Sequence, residues 1–186
     1  MKYRTIVADP PWEYDGGFAT LPGGLMKRGG KPFVKPLPYP SMALAEIRAL
    51  PIQPMAEAGC WLFLWTTNRY LPKSFDILAA WGFEYRQTLV WHKTGNPSPF
   101  GGAVAPNHAE FLLVARQGNA RLNGRLASSV IAVNKPQNHH SAKPECFLDY
   151  IEQVSPGPYL ELFARRNRLG WDTWGNEALE HVEMPT

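Results

Sequence analysis

The segment from Tyr3 to Ala8 is short, apolar and rich in β-branched residues, and it stops at Asp9-Pro10-Pro11. Consecutive prolines supply no backbone N–H and fix φ, so a central strand cannot continue through them and the chain must turn into a loop. A strand that carries a carboxylate at its own carboxyl end is therefore set within the first dozen residues. Beyond it, strand and helix patterns alternate. Ser41 reads as the N-cap of a helix through MALAEIRAL that ends at Pro51. CWLFLW reads as a strand buried on both faces, and a helix is predicted from about Pro72 to Trp81, with Gly82 as its stop. FEYRQTLVWHK and EFLLVAR read as two further strands, and Ser129 to Val133 as a short one. Pro144 opens a helix that stops near Ser155-Pro156-Gly157, PYLELFA is a strand, and RNRLGWDTWGNE gives a turn and a last short strand. This alternation predicts an α/β fold, a mostly parallel sheet with helices on both faces. Ligands of such sheets sit beyond the carboxyl ends of the strands, where Asp9 and the stretch after Phe163 both fall.

Two segments, about 15–38 and 94–108, are dominated by Gly, Pro and polar residues, keep no helix or strand period, and are expected to be mobile loops. The 186 residues contain no repeat or linker, so one domain spanning 1–186 is expected. A net charge of +3 permits contact with phosphates without demanding it. Cys60 and Cys146 form no CxxC pair and read as small buried hydrophobes. No histidine has a partner at metal spacing, and no metal site is predicted. The longest apolar run is too short to cross a bilayer and the start lacks a signal-peptide pattern, so a cytoplasmic protein is expected. Trp61, Trp65, Trp81 and Trp91 are expected in the core.

Asp9-Pro10-Pro11-Trp12 has a chemical reading and a bland one. In the bland one it is a turn that ends a strand. In the chemical one it binds an exocyclic amine, whose lone pair is delocalised into a base ring. A carboxylate and a carbonyl that accept the amine's two hydrogens help the nitrogen pyramidalise and release that pair. Asp9 supplies the carboxylate, Pro10 a carbonyl of fixed geometry, and Trp12 and Tyr14 faces for a base taken out of its stack.

The ordered segments ADPPW, LPYPSM, WLFLWTTNRYL, AAWGFEYRQTLVWHKT, NHAEFLLVARQG, AKPECFLDYIEQVSPG and LELFARRNRLGWDTWGNE run from Ala8 to Glu177. As a set they resemble the MT-A70 family of adenine-N6 methyltransferases. The resemblance implies a Rossmann-like, S-adenosylmethionine-dependent fold in permuted order, with the catalytic motif ahead of the cofactor strand. It implies that Asp9, Pro10, Pro11 and Trp12 form the catalytic loop, with Asp9 also near the methionine portion of the cofactor. Lys143 matches a lysine that approaches the cofactor carboxylate. Arg165 and Asn167 match residues near its ribose, and Asn176 and Glu177 a pair near its adenine. Glu161 is a further candidate on the cofactor strand. Tyr39 and Glu110 match positions of the target-base pocket. The chain departs from its relatives at Ala164, often glycine, and at Ala142, a histidine in some.

The resemblance implies methylation of adenine N6 in nucleic acid, with DNA favoured because the domain is compact and carries no appended RNA-binding module. RNA as substrate, a non-catalytic nucleic-acid-binding scaffold, and methylation of a protein amide are the competing readings. The last favours asparagine and tyrosine at the motif's ends, against Asp9 and Trp12 here. Lys27, Arg28, Lys31 and Lys35 read either as a solvated loop or as phosphate contacts. A homodimer or a partner subunit is expected to enlarge the nucleic-acid surface.

Overall fold

The computed structural model describes residues 1–13, 27–28, 31–32, 40–95, 104–136, 142–175 and 182–185. Strand β1 is Tyr3–Ala8, and Lys27–Arg28 (β2) pairs antiparallel with Lys31–Pro32 (β3). Helix α1 spans Leu44–Ala49, strand β4 Ala56–Thr66, helix α2 Leu71–Ala80 and strand β5 Glu84–Thr94. Strands β6, Ala109–Gln117, and β7, Val130–Asn134, precede helix α3, Cys146–Val154. Strands β8, Tyr159–Leu162, and β9, Trp171–Trp174, follow.

Seven strands form one sheet in the order β7-β5-β6-β4-β1-β8-β9. Every neighbouring pair is parallel except the two made by β6, which runs against both β4 and β5. The chain leaves β1 toward β4 and leaves β8 toward β9, in opposite directions across the sheet. The crevice between the carboxyl ends of β1 and β8 is therefore a topological switch point, where open α/β sheets bind ligands.

Side-chain alternation sorts the core onto two faces. Ile6, Leu62, Leu64, Leu113 and Leu160 pack with Ile47 of α1 and with Ile77 and Leu78 of α2. Val7, Phe63, Trp65, Leu112 and Val114 pack on the other face with Phe147, Leu148 and Ile151 of α3. The four tryptophans expected inside are all buried. Thr5 is buried as well, and its hydroxyl is satisfied by Ser155 and the Pro156 carbonyl at 2.5 and 2.7 Å.

Two local expectations need correction. Ser41 is not the cap of α1: the helix starts at Leu44, and the Glu46 carboxylate accepts the Ala43 N–H at 2.8 Å. Met42 is drawn away into a bridge with Trp12, donating its N–H to the Pro11 carbonyl at 2.9 Å, so the chain cannot turn helical earlier. Between 15 and 38 the sequence shows no strand period, yet β2 and β3 form a small ladder there. Gly82 does stop α2, at φ +81°.

Gly118, just after β6, has φ +59°, and a Cβ there would lie 1.9 Å from the Ala58 carbonyl oxygen. A Gly118→Ala variant is expected to lose more than about 1 kcal/mol of stability, read as a lower urea midpoint with unchanged slope.

Candidate active site

The antiparallel β6 has a consequence for chemistry. Because it runs backwards, its first residues lie at the edge where β1, β4 and β5 end, and Glu110 arrives beside Asp9. Asp9 follows β1 directly, and its N–H reaches the Leu162 carbonyl of β8 at 3.4 Å. The next residues are tied down: the Trp12 N–H donates to the Pro10 carbonyl at 2.8 Å. The Trp12 ring stacks on Tyr70 with centroids 4.8 Å apart and planes 15° apart, and only 4% of the residue is exposed. Trp12 therefore braces the loop against the α2 face. The expectation that it offers a free face to a base does not match this burial, because Tyr70 already fills the stacking position.

The charged residues form an alternating series. Lys143, just before α3, donates from Nζ to both Asp9 carboxylate oxygens at 2.7 Å. The same ammonium lies 3.4 Å from Glu110 Oε2, and the other oxygen of Glu110 accepts from Lys93 of β5. All four side chains are largely covered, with 15–19% of each exposed. Two indoles underlie the two ammoniums: Lys143 Nζ lies 5.4 Å from the Trp65 ring and Lys93 Nζ 4.9 Å from the Trp91 ring. Burial alone would drive the Lys143 ammonium toward neutrality, but Asp9 and Glu110 outweigh it and hold the lysine firmly protonated. Burial would likewise raise the Glu110 carboxyl, and Lys143 and Lys93 bring it below the usual glutamate range. The series carries two positive and two negative charges, which is what allows it to be buried.

Glu161 of β8 behaves differently. Its Oε2 is buried without a hydrogen-bond partner among the described residues, and burial, with Asp9 adding to it, pushes its carboxyl up to about 7. Such a group disfavours the fold once ionised. Stability is expected to fall as pH rises from about 4.5 to about 7, because the unfolded chain releases that proton earlier than the folded one. Urea midpoints across this window should fall less for Glu161→Gln than for the wild type. Equal slopes would place the Glu161 proton elsewhere.

The stretch after β8 is held from below. Arg168 grips Glu152 through Nε and Nη2 at 2.9 and 3.0 Å and Asp149 at 2.6 Å, and the Trp171 indole N–H joins Glu152 at 2.6 Å. Asn167 donates to the Thr173 hydroxyl at 3.2 Å, and Arg165 lies close enough to Lys143 for their charges to oppose. Phe163 takes φ +62°, a left-handed conformation for a non-glycine residue at the very end of the cofactor-strand candidate.

The structure thus brings Asp9, Glu110, Lys143, Glu161 and Arg165 to one sheet edge. Lys27, Arg28 and Lys31 belong to the β2–β3 ladder. Tyr14, Lys35, Tyr39, Asn176 and Glu177 lie outside the described residues. Sequence reasoning missed Lys93, Tyr70 and the Arg168 clamp. Alternation puts Lys93 on the inward face of Trp91, but only the direction of β6 and its register bring Glu110 to it. A cleft of about 270 Å³ between α3 and residues 122–129 holds none of these charged groups.

The charges at this edge fit S-adenosylmethionine. Its amino-acid end carries an ammonium and a carboxylate, and Asp9 and Lys143 present the opposite charges side by side. The orphaned Glu161 oxygen adds a polar group with capacity to spare.

A family model described as MT-A70 matches residues 3–177. The chain belongs to the MT-A70 family. It is 33% identical over 198 residues to the Type II methyltransferase M.MunI of a Mycoplasma species, covering all of this chain and 82% of that protein. It is 30% identical to the N(6)-adenine-specific methyltransferase METTL4 of Homo sapiens, across 98% of this chain. It is 29% identical to the N(6)-adenosine-methyltransferase catalytic subunit METTL3 of Homo sapiens, across 95%. The chain spans 40% and 28% of these last two proteins. As an MT-A70 methyltransferase it depends on S-adenosylmethionine, and adenine N6 is the acceptor for which its METTL relatives are named. Among the described residues, no helix is long and apolar enough to cross a membrane.

Proposed function

We propose that this MT-A70 protein methylates the exocyclic N6 amine of adenine in DNA, and that Asp9 is the group that engages the amine. The observation that carries this reading is the placement of Asp9 at the β1/β8 switch point with a buried ammonium, Lys143, on both its oxygens. DNA is favoured because M.MunI, a type II methyltransferase, is matched over 82% of its length, whereas METTL3, named for adenosine, is matched over 28% of its length.

S-adenosylmethionine, when bound, supplies an electrophilic methyl group on a sulfonium. Lys143 would hold its carboxylate, Asp9 its ammonium, and Glu161, Arg165 and Asn167 would flank the rest, joined by Asn176 and Glu177. Asp9 accepts one hydrogen of the target amine. The Pro10 carbonyl accepts the other on the lone pair that Trp12 N–H leaves unused. The nitrogen would thereby recover its lone pair for the methyl group that the sulfonium supplies, and its surplus proton would leave toward the Asp9 carboxylate. Orientation supplies much of the rate, and no strong base is needed. Tyr39 and Glu110 would wall the base pocket, with Tyr14 as the stacking face that buried Trp12 does not offer. Lys27, Arg28, Lys31 and Lys35 would meet the phosphates.

Transfer of tritiated methyl groups to matched DNA and RNA oligonucleotides, single- and double-stranded, tests the proposal. N6-methyladenine in DNA at higher kcat/KM than in RNA supports it, and the reverse preference assigns the enzyme to RNA. Absence of transfer together with absence of cofactor binding would favour a scaffold.

A further inference from the structure

Lys93 has no place in the chemistry above, yet it is one of four charged side chains packed together at the strand ends. It lies on β5, diagonal to Glu110 of β6, which pairs directly with Trp91. Its backbone N–H donates to the His108 carbonyl at 2.7 Å, which fixes the stem, and its ammonium lies over Trp91. Only 18% of the side chain is exposed, and its ammonium lies between Glu110 and an indole face. Burying a lysine to this extent is costly unless the partner is worth positioning.

We infer that Lys93 is a positioning residue of the active site, fixing Glu110 and through it the Lys143–Asp9 pair. This rests on the reading of Asp9 as the amine-binding group. Lys143 is shared between two carboxylates, at 2.7 Å from Asp9 and 3.4 Å from Glu110. How far it leans toward either depends on how much charge Glu110 retains for it. Lys93 satisfies one oxygen of Glu110 and leaves the other for Lys143, so the ammonium stays centred on Asp9. Without Lys93 the series has one cation for two buried carboxylates. Either Glu110 takes a proton, or it pulls Lys143 off Asp9. Both change the group presented to the amine.

The groups that face Glu110 are Lys93 from β5 and Lys143 from the segment before α3, with Asp9 after β1 and Arg165 after β8 behind Lys143. The Glu110 carboxyl sits low because of the two lysines, so removal of Lys93 moves its titration to higher pH.

The test follows the Glu110 side-chain carboxyl carbon by NMR during a pH titration, assigned through Glu110→Gln, in wild type, Lys93→Met and Lys93→Arg. In Lys93→Met the Glu110 midpoint is expected to rise by about one pH unit or more. The acid limb of kcat/KM for an adenine oligonucleotide should move up with it. Lys93→Arg should restore both, and the affinity for S-adenosylhomocysteine should change less than kcat/KM. Lys93→Gln replaces Lys93→Met if melting shows that variant unfolded. An unmoved Glu110 midpoint overturns the inference, and so does a moved midpoint with an unmoved acid limb. If the wild type transfers no methyl group to adenine, the substrate reading fails, while the carboxyl titration still decides whether Lys93 sets Glu110.

Discussion

Asp9→Asn is expected to lower kcat for methyl transfer by about two to three orders of magnitude, the usual cost of removing one preorganised polar contact to a reacting group. The amide keeps the shape of the side chain but removes the charge that Lys143 is bound to. Lys143 then keeps the charge of Glu110, 3.4 Å away. Cofactor affinity, measured by calorimetry with S-adenosylhomocysteine, should weaken far less than kcat, because Lys143 still carries a charge for the carboxylate. Activity within tenfold of wild type would remove Asp9 from the reaction. A parallel collapse of cofactor affinity and kcat would make it a cofactor ligand only.

Trp12→Ala is expected to cost about 3–5 kcal/mol of folding stability, as large-to-small changes at buried aromatics do. The ring is 4% exposed, stacks on Tyr70 and belongs to the core of the α1/α2 face. Trp12→Phe retains an aromatic stack and should recover much of that loss. Urea unfolding distinguishes this from a base-stacking role: a residue that served only the substrate would lose kcat/KM on truncation and leave the midpoint in place. The brace also explains why Met42 leaves the helix. The Trp12–Met42 bridge and the Pro11–Met42 hydrogen bond take the backbone that Ser41 would have used to begin one.

The strand–helix alternation, the stop at Asp9 and the Gly82 terminus were legible because each rests on local chemistry: periodicity, a missing N–H, a positive φ. The edges of elements were less so. Strand β4 begins at Ala56 rather than Cys60, because AEAG has little strand propensity of its own and is held by pairing of Ala56 with Tyr3. Helix α3 begins at Cys146 rather than Pro144, whose carbonyl instead accepts the Phe147 N–H in the preceding turn. At the site, Asp9 was identified by its motif and Lys143 by the family resemblance, but that they touch was not, since 134 residues separate them. The direction of β6 decides whether Glu110 or Gln117 reaches the edge where Asp9 lies, and an apolar run reads the same in either direction. Lys93 depended on that direction and on the β5–β6 register together, neither of which a single sequence states.

Strand β1 lies between β4 and β8, both made later, and its pairing with β8 joins Thr5 to Tyr159. During synthesis at about 5–20 residues per second, roughly 8–30 s pass between the emergence of β1 and that of its second neighbour. Through that interval an apolar strand that is to become central has both edges open until β4 emerges and one open after it, the hazard that finished proteins cover or charge. On the role proposed for Asp9, a nascent chain is catalytically silent until β8, Tyr159–Leu162, has emerged. Ribosome stalling between β4 and β8 should therefore yield products that aggregate rather than products that methylate.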